Sequence, residues 1–314
     1  METKLDIIAI GESLIELSTN ANLASSACLY KYYGGDALAT AISALRMGSK
    51  VGFITRVGDD PFKNYLIDSW HAEGLDISQV KLSNESNGLY IIARPSVSEK
   101  EVIYYRKKIA PSKLSIDDIS EDYIKSADIV YASGVTQSLS PSANEAVEYA
   151  FKLAKQSGIL TAYDPNYHSV LTTAEEAREA FARVVDNLDI VFLNTKHDSI
   201  NILEIESPEN IIKKLWDVGV QIVVLKSIDK KGYFTGYNGN INFTDFYTTD
   251  YLDTTCSGDT FNGGFLHALN HGFTPFEATK FASITAGLQA QGIGAIKSIP
   301  YKDEVYSIYR GNNG

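Results

Sequence analysis

Residues 252–266, LDTTCSGDTFNGGFL, place an acidic side chain inside a turn of small residues that opens into a predicted helix. We expect Cys256, Ser257 and Gly258 to present successive backbone N–H groups at the positive end of that helix, where an anion is stabilised. Asp259 follows directly. A carboxylate at a helix N-terminus is expected to keep a low pKa, so Asp259 can accept a proton from a hydroxyl beside a bound phosphate. An ordinary helix start also fits these residues, because Ser and Asp are common caps.

A second stretch, residues 32–80, contains paired glycines in YYGGDALATA and an R-x-G-x-D element in RVGDD. In the same order, the two stretches resemble the signatures of the ribokinase-like (PfkB) carbohydrate kinases, the later of which is usually written DTTGAGD. The resemblance extends from about residue 7 to residue 300. It implies a three-layer α/β/α fold with a mostly parallel central sheet and a small antiparallel lid, in one domain over residues 1–314. It also implies transfer of the γ-phosphate of ATP to a sugar hydroxyl.

The main signature departs from the family pattern at two positions. Cys256 replaces the first glycine of GAGD, and Ser257 replaces the alanine. If the position requires a positive φ, Cys carries a steric cost that Gly does not. A thiol at a helix N-terminus can also have a depressed pKa and react with alkylating agents, whereas burial would make it inert.

Composition is that of an ordinary globular protein, with 44% hydrophobic and 21% charged residues and a net charge of −11 over 314 residues. The negative charge argues against nucleic acid or an anionic membrane as the main partner, so local cations must bind any anionic substrate. The two cysteines, an N-terminus without a basic and apolar leader, and the absence of an apolar run near roughly 20 residues predict a cytoplasmic protein.

Short apolar runs alternate with helical periodicity, the pattern of a parallel sheet covered by helices on both faces. The predicted core strands are 6–10, 51–55, 129–132, 160–163, 190–193 and 222–226. The predicted helices are 36–47, 61–73, 141–157, 173–186 and 208–216. The order predicts a doubly wound α/β fold.

Two regions, 12–33 and 87–107, predict strands without intervening helices. In the second region, strands at 87–94 and 101–107 are joined by a predicted turn at 95–100. We expect these strands to form the small antiparallel sheet. In the resembled family such a sheet covers the sugar site and often supplies a dimer contact, and an exposed sheet edge needs a partner, so a homo-oligomer is expected.

Alternation in EVIYYRKK puts Tyr104 and Arg106 on one face of a strand, and Tyr90 can come from the neighbouring strand. Arg is suited to bidentate carboxylate recognition, and tyrosines offer hydroxyls and flat apolar faces, so this face favours a sugar acid. The alternative is a cross-strand aromatic pair beside a solvated Arg.

Within the family the chain looks most similar to 2-keto-3-deoxygluconate kinases, in NESNGLYIIAR, VIYYRKKIAPSKLS and YASGVTQSLS. That similarity implies that Gly34 and Asp36 contact sugar hydroxyls, that Tyr90, Tyr104 and Arg106 hold the keto-acid end, and that the product is 2-keto-3-deoxy-6-phosphogluconate.

In DPNYHSVL, His168 stands where the subfamily usually has an arginine associated with the substrate acid. Histidine is cationic only below a pKa near 6.5, so we expect carboxylate affinity to depend on pH and substrate preference to be relaxed or different. A surface His without a role is the alternative.

Residues expected at the nucleotide match the family less closely. Asn194 fits an N-x-x-E element, but His197 occupies the Glu position, and Asp198 or Glu204 could serve the metal instead or simply be solvated. The remaining expected contacts are Lys226, Ser227, Gly232, Gly258, Ala286 and Gly294. Mg²⁺ is expected with ATP because it bridges and neutralises phosphate oxygens, but no direct ligand is assigned.

Other functions remain open at this level. One is phosphorylation of a neutral sugar by a ribokinase-like or fructokinase-like enzyme, and another is phosphorylation of a related deoxyketogluconate. The departures at Cys256, His197 and Ile228 also leave room for a sugar-binding sensor with weak turnover. The sequence has no G-x-x-x-x-G-K-[ST] loop, and its five scattered histidines lack metal-ligand spacing.

Overall fold

The computed structural model describes residues 4–96 and 99–311. Two sheets run through these residues, a large one of nine strands and a small one of four. The strands are β1 (Leu5–Ile10), β2 (Leu14–Thr19), β3 (Tyr30–Gly34), β4 (Val51–Gly58), β5 (Val80–Ser83), β6 (Gly88–Ala93), β7 (Glu101–Tyr105), β8 (Ala127–Ser133), β9 (Leu160–Asp164), β10 (Ile190–Asn194), β11 (Ile222–Ser227), β12 (Gly232–Tyr237) and β13 (Asn240–Asp245).

Helices cover the large sheet on both faces. They are α1 (Asp36–Met47), α2 (Lys63–Glu73), α3 (Glu121–Lys125), α4 (Gly134–Ser138), α5 (Pro141–Gln156), α6 (Ala174–Val184), α7 (Pro208–Asp217), α8 (Ser257–Asn270), α9 (Pro275–Ala290) and α10 (Lys302–Gly311). Short 3₁₀ helices lie at Ala110–Lys113, Ile116–Asp118 and Val185–Asn187, and a π-helical turn lies at Ser199–Leu203.

The large sheet has the order β13-β12-β11-β10-β9-β8-β1-β4-β5. Its strands are parallel except for the edge hairpin of β12 and β13, which pairs antiparallel to β11. The strand order reverses beside β1, which pairs with β8 on one side and β4 on the other. In doubly wound sheets a ligand site forms where the order reverses, at the carboxyl ends of the strands.

Strand β1 shows how the sequence divides the core. Ile7 and Ala9 point to the layer that contains α1, α8 and α9, whereas Ile8 and Ile10 point to the layer that contains α5, α6 and α7. All four side chains are fully buried, as expected for a strand covered on both faces. The three-layer α/β/α fold predicted from the sequence is confirmed.

Local sequence signals set several helix starts. Thr173 with Glu176 and Thr274 with Glu277 form capping boxes that begin α6 and α9. Ser140 accepts from the Ala143 backbone N–H at the start of α5, where Pro141 occupies the first turn.

The small sheet has the order β3-β2-β6-β7 and forms a lid beside the carboxyl ends of the large sheet. Its outer pairs are antiparallel, but β2 and β6 run parallel, so the lid is mixed rather than wholly antiparallel as predicted. The parallel pairing is possible because the chain crosses through α1, β4, α2 and β5 between the two strands. The predicted turn at 95–100 includes residues 97 and 98, which lie outside the described residues.

Among the described residues, no helix has the length and apolar character needed to span a bilayer.

Candidate active site

A cleft of about 650 Å³ lies between the lid and the carboxyl ends of β1, β9, β10 and β11. The N-terminus of α8 forms one wall, and β6 and β7 of the lid form the opposite wall. Sequence segments that are far apart in the chain therefore face one another across a single space.

The residue that begins the N-terminal turn of α8 adopts a positive φ, the conformation that carries a steric cost for cysteine. Cys256 is the N-cap residue, with φ 62° and ψ 14°, which is the left-handed region that disfavours side chains. The thiol is not activated, because burial and then the nearby carboxylates, Asp259 first, raise its pKa. Of the two alternatives for this thiol, burial that makes it inert therefore applies rather than activation by the helix end, because burial and the negative neighbours together outweigh the helix end.

Close packing fixes the position of α8. A Cβ at Gly263 would stand 2.3 Å from the Thr40 carbonyl oxygen of α1, and one at Gly264 would stand 2.9 Å from Thr285 Oγ1 of α9. Only glycine allows these approaches. The paired glycines of the signature helix thus clamp α8 between two helices and hold its N-terminus at the cleft.

Asp259 lies in the first turn of α8 and is 8% exposed. Asn166, in the loop after β9, donates to Asp259 Oδ1 at 3.2 Å. Burial raises the pKa of Asp259, and the carboxylates of Asp36 and Asp164 raise it further, while Lys226 acts in the opposite sense. The low pKa expected from the helix N-terminus was wrong, because desolvation and like charges outweigh the helix end.

Lys226 is the half-buried penultimate residue of β11. It forms an ion pair with Asp164 at the end of β9, with Nζ 2.5 Å from Oδ2. Asn262 of α8 donates to the same carboxylate oxygen at 2.7 Å. A Cβ at Gly258 would lie 3.4 Å from Lys226 Nζ, so the ammonium and the backbone of the α8 turn border the same space. This space combines a cation with a helix N-terminus, which suits a phosphate.

Asn194 lines the cleft at the end of β10, and its Oδ1 accepts from the backbone N–H of Lys196 and His197. Asp198 also lines the cleft, with its two oxygens accepting from the N–H groups of Asn194 and Tyr167. Burial and the nearby Asp164 raise the pKa of Asp198 to about 7.

Glu204 does not join the cleft, because it lies on the surface in an ion pair with Arg178 at 3.1 Å. Within residues 4–96 and 99–311 no group of three His, Cys, Asp or Glu side chains is arranged to hold a metal ion.

The other residues expected at the nucleotide lie behind or beside the cleft rather than in its lining. Ser227 is buried and lies 3.4 Å from Thr195 Oγ1, and Gly232 packs against Phe243, which a Cβ would meet at 2.3 Å. Ala286 is buried in α9, and Gly294 adopts φ 99° in the turn that follows.

On the lid wall, Tyr90 and Tyr104 are directly paired across β6 and β7, with ring centroids 6.0 Å apart. Tyr90 lies over Gly34, where a Cβ would stand 2.6 Å from the phenol oxygen. The Tyr90 hydroxyl donates to Glu16 Oε2 at 2.5 Å. The glycine therefore provides the room for an aromatic wall.

Arg106 lies beside the Tyr104 ring, 5.3 Å from its centroid, as the strand alternation predicts. Its guanidinium forms an ion pair with Glu12, the residue that follows β1 and Gly11. Burial lowers the pKa of Arg106 to about 10. The sequence did not predict the Glu12 partner, although an acid two residues after a buried parallel strand is a signal that could have suggested it.

Asp36 begins α1 beneath the lid and accepts from the Ser133 hydroxyl, while its Oδ1 faces the cleft without a partner in the described residues. His168 stands at the cleft mouth. Partial desolvation lowers its pKa, and the charges of Arg106, His197 and Lys100 lower it further. Lys100 and Asn166 also line the cleft, and the sequence analysis assigned neither.

Comparisons with known proteins agree with this geometry. The family model described as "pfkB family carbohydrate kinase" matches residues 4–302. The chain is 30% identical over 315 residues to the 2-dehydro-3-deoxygluconokinase of Thermoproteus tenax, covering 98% of this chain and 95% of the relative. It is 28% identical over 309 residues to the 5-dehydro-2-deoxygluconokinase of Clostridium beijerinckii, with 95% and 90% covered.

Among solved structures, a ribokinase II from E. coli in complex with ATP and Mg²⁺ superposes with a TM-score of 0.89 at 22% identity. The match covers 98% of this chain and 99% of the other, and at this identity it supports the fold alone. Because the family model spans nearly the whole chain and both signatures meet at one cleft, this protein belongs to the PfkB family of carbohydrate kinases.

Proposed function

We propose that the protein transfers the γ-phosphate of ATP to the primary hydroxyl of a sugar acid, 2-keto-3-deoxygluconate first among them, giving 2-keto-3-deoxy-6-phosphogluconate. The observation that carries the proposal is that Asp259 and the α8 turn face Tyr104 and Arg106 across the cleft. A sugar between these walls would have its acid end at the lid and a hydroxyl at the carboxylate.

The substrate class is supported by the relatives. The T. tenax and C. beijerinckii proteins are both named for dehydro-deoxygluconates, which are sugar acids. The two names differ in the position of the carbonyl and of the missing hydroxyl, so 5-dehydro-2-deoxygluconate is the nearest competitor.

The chain's own residues supply a complete set of roles. Asp259 accepts the proton of the attacking hydroxyl, and Asn166 orients the carboxylate through its contact at 3.2 Å. Backbone N–H groups of Cys256 and Gly258, with the Lys226 ammonium, stabilise charge on the transferred phosphate. The Ser257 N–H, expected to join them, donates instead to the Thr254 carbonyl oxygen at 3.1 Å. The lid excludes water while it positions the sugar.

The fit to MgATP rests on the space beside Gly258, where the Lys226 ammonium and the α8 turn meet. Mg²⁺ supplies charge neutralisation on the phosphate oxygens when bound. Asp198 and Asp164 are the carboxylates best placed to contact it through water, since both lie near Lys226 at the same strand ends. No direct ligand is assigned.

A specific observation favours a second candidate, phosphorylation of a neutral sugar. Arg106 is already paired with Glu12, so its charge is partly satisfied before a substrate carboxylate arrives. A neutral sugar could instead place hydroxyls against both partners. A sugar-binding sensor with weak turnover is the third candidate, since Cys256 takes an unfavourable conformation in the anion-binding turn.

The test is ADP release by the purified protein with MgATP and a panel of 2-keto-3-deoxygluconate, 2-keto-3-deoxygalactonate, 5-dehydro-2-deoxygluconate, ribose and fructose, against a sugar-free control. Turnover confined to the keto acids supports the proposal. Preference for ribose or fructose rejects the substrate but keeps the kinase, and binding without turnover on every sugar favours the sensor.

A further inference from the structure

A chain of buried polar contacts connects the lid to the turn that precedes α8. Tyr90, in the cleft wall, donates to Glu16, and Arg94 Nη2 lies 3.6 Å from Glu16 Oε1 and 2.6 Å from Asp253 Oδ2. The exposed fractions are 5% for Tyr90, 0% for Glu16, 9% for Arg94 and 4% for Asp253. Buried charges at this depth are costly unless they are paired, so the contacts constrain one another.

At the end of this series of contacts, Asp253 binds two backbone segments. Asp253 Oδ1 accepts from the Thr255 N–H at 3.0 Å, and Asp253 Oδ2 accepts from the Gly294 N–H at 3.2 Å. Thr255 immediately precedes Cys256, and Gly294 lies in the turn after α9. The carboxylate therefore fixes the entry to the anion-binding turn and a second turn expected near the nucleotide.

The lid contacts the same turn at a second point. Lys100 Nζ donates to Thr255 Oγ1 at 2.6 Å. Arg94 and Lys100 stand at the two ends of the connection between β6 and β7, so this connection is attached to the turn at both ends.

The electrostatics favour Asp253 as the main partner of the guanidinium. Although burial opposes the change, hydrogen bonds from Thr255 and the charge of Arg94 lower the pKa of Asp253. Burial raises the pKa of Glu16, despite the hydrogen bond from Tyr90 and the charge of Arg94. Of these contacts, the one from Arg94 to Asp253 therefore holds the lid against the rest of the protein.

We propose that Arg94 is a positioning residue that couples the sugar site to the nucleotide site, so that each ligand raises the affinity for the other. A sugar that contacts both Tyr104 on the lid and Asp36 on the body binds best when the lid is attached. The attached lid orders Thr255 and Gly294 through Asp253, which favours the nucleotide, and linkage makes the effect reciprocal. This inference rests on the proposed function.

Isothermal titration calorimetry with the magnesium complex of the non-hydrolysable ATP analogue AMP-PNP, with and without saturating 2-keto-3-deoxygluconate or whichever panel sugar turns over, tests the coupling. We expect the sugar to tighten nucleotide binding by about tenfold in the wild-type protein. In the double variant Glu16→Gln with Arg94→Met we expect an effect of the sugar below about twofold.

The double variant is chosen because Arg94→Met alone leaves two buried carboxylates facing each other. Glu16→Gln keeps an acceptor for Tyr90, and Asp253 retains its donors from Thr255 and Gly294. Arg56→Met is the matched control, since Arg56 pairs with Asp118 at 2.8 Å on the body, outside this chain of contacts. Its coupling should equal that of the wild type.

Equal nucleotide affinities with and without sugar in the wild-type protein would overturn the inference while leaving the kinase intact, provided that each ligand binds alone. Tenfold coupling that persists in the folded double variant would also overturn it. A wild-type protein that binds neither ligand would reject the proposed function itself, and the inference with it.

Discussion

Asp259, the proposed catalytic base, lies in an unfavourable electrostatic setting. Burial and the carboxylates of Asp36 and Asp164 raise its pKa. At a given acidic pH the protonated fraction of Asp259 is therefore larger than that of a solvated aspartate. The proposed mechanism requires the ionised form of Asp259. We therefore expect kcat/KM to fall as the pH decreases through the raised pKa, at a higher pH than for an ordinary carboxylate.

Asp259→Asn keeps the shape of this side chain but cannot accept the proton. We expect kcat to fall by roughly 10²-fold or more, with AMP-PNP affinity retained. Steady-state kinetics measure kcat, and calorimetry on the same preparation measures AMP-PNP affinity. Wild-type turnover by the Asn variant would remove Asp259 from the mechanism.

Cys256 carries a conformational cost at the residue level. Its φ of 62° is disfavoured for any side chain with a Cβ, by roughly 1 kcal/mol relative to Gly. We expect Cys256→Gly to raise the free energy of unfolding by about that amount, whereas Cys256→Ala, which keeps the Cβ, should not. Urea unfolding of both variants measures the difference, and equal midpoints would show that the turn is not strained.

His168 supplies no permanent charge at the cleft mouth. Partial desolvation and the charges of Arg106, His197 and Lys100 lower its pKa, so it is neutral at neutral pH. For a sugar acid, KM should fall as His168 becomes protonated at acidic pH, and His168→Arg should lower KM at neutral pH by about tenfold without affecting neutral sugars. Apparent KM values at about pH 5 and pH 8 check this, and equal values in wild type and variant would rule the residue out of substrate binding.

At the scale of elements, the C-terminal end of α8 depends on a buried neutral histidine. His267 contacts Ser49 Oγ through Nδ1 at 2.8 Å and Tyr306 Oη through Nε2 at 2.9 Å, which joins α8 to the connection between α1 and β4 and to α10. Burial, and then the charges of His271 and Lys302, lower its pKa to about 3. The unfolded chain takes up a proton below about pH 6.5 and the folded chain does not, so stability is lost as the pH falls from there.

For His267→Gln we expect a shallower acid dependence. Between pH 7 and about pH 4.5 the histidine should cost about 2 to 3 kcal/mol of stability that the variant does not lose. Urea unfolding across this range measures both proteins, and subtraction removes the contribution of the carboxylates they share. Parallel profiles would mean that His267 takes up its proton in the folded state.

The elements differ in how well the sequence predicts them. Buried parallel strands such as β10 and capped helices such as α6 were predicted to within a few residues, because periodicity and caps are local signals. Strands β5, β12 and β13 were missed. β5 and β13 lie at the sheet edges with mostly exposed or half-exposed side chains, so their apolar pattern is weak. The parallel pairing of β2 and β6 depends on tertiary contacts that no local pattern encodes.

At the scale of the molecule, the site also divides into features that the sequence predicts and contacts between distant residues that it does not. The resemblance to the family implied that Asp259, Tyr104 and Arg106 would lie at one site, and all three line the same cleft. The pairs Arg106 with Glu12 and Arg94 with Asp253 were not predicted, since their members are far apart in sequence and only the folded chain brings them together. The raised pKa of Asp259 has the same origin, because two other elements, α1 and β9, supply the acids around it.

The outward face of the lid carries the last prediction. Strand register aligns Leu17, Ile91 and Ile103 in one cross-strand row, and Leu89 with Tyr105 in the next. Ile103 and Tyr105 end their rows and are 43% and 57% exposed. Together they form an apolar surface in contact with water. We expect a homo-oligomer that covers this face, and Ile103→Glu with Tyr105→Glu should convert it to monomers because buried carboxylates would lack partners. Light scattering after size exclusion measures the mass, with Tyr149→Glu on α5 as the control for an added surface charge. A wild-type monomer, or an oligomer unchanged in the double variant, would show that the lid surface is not the contact.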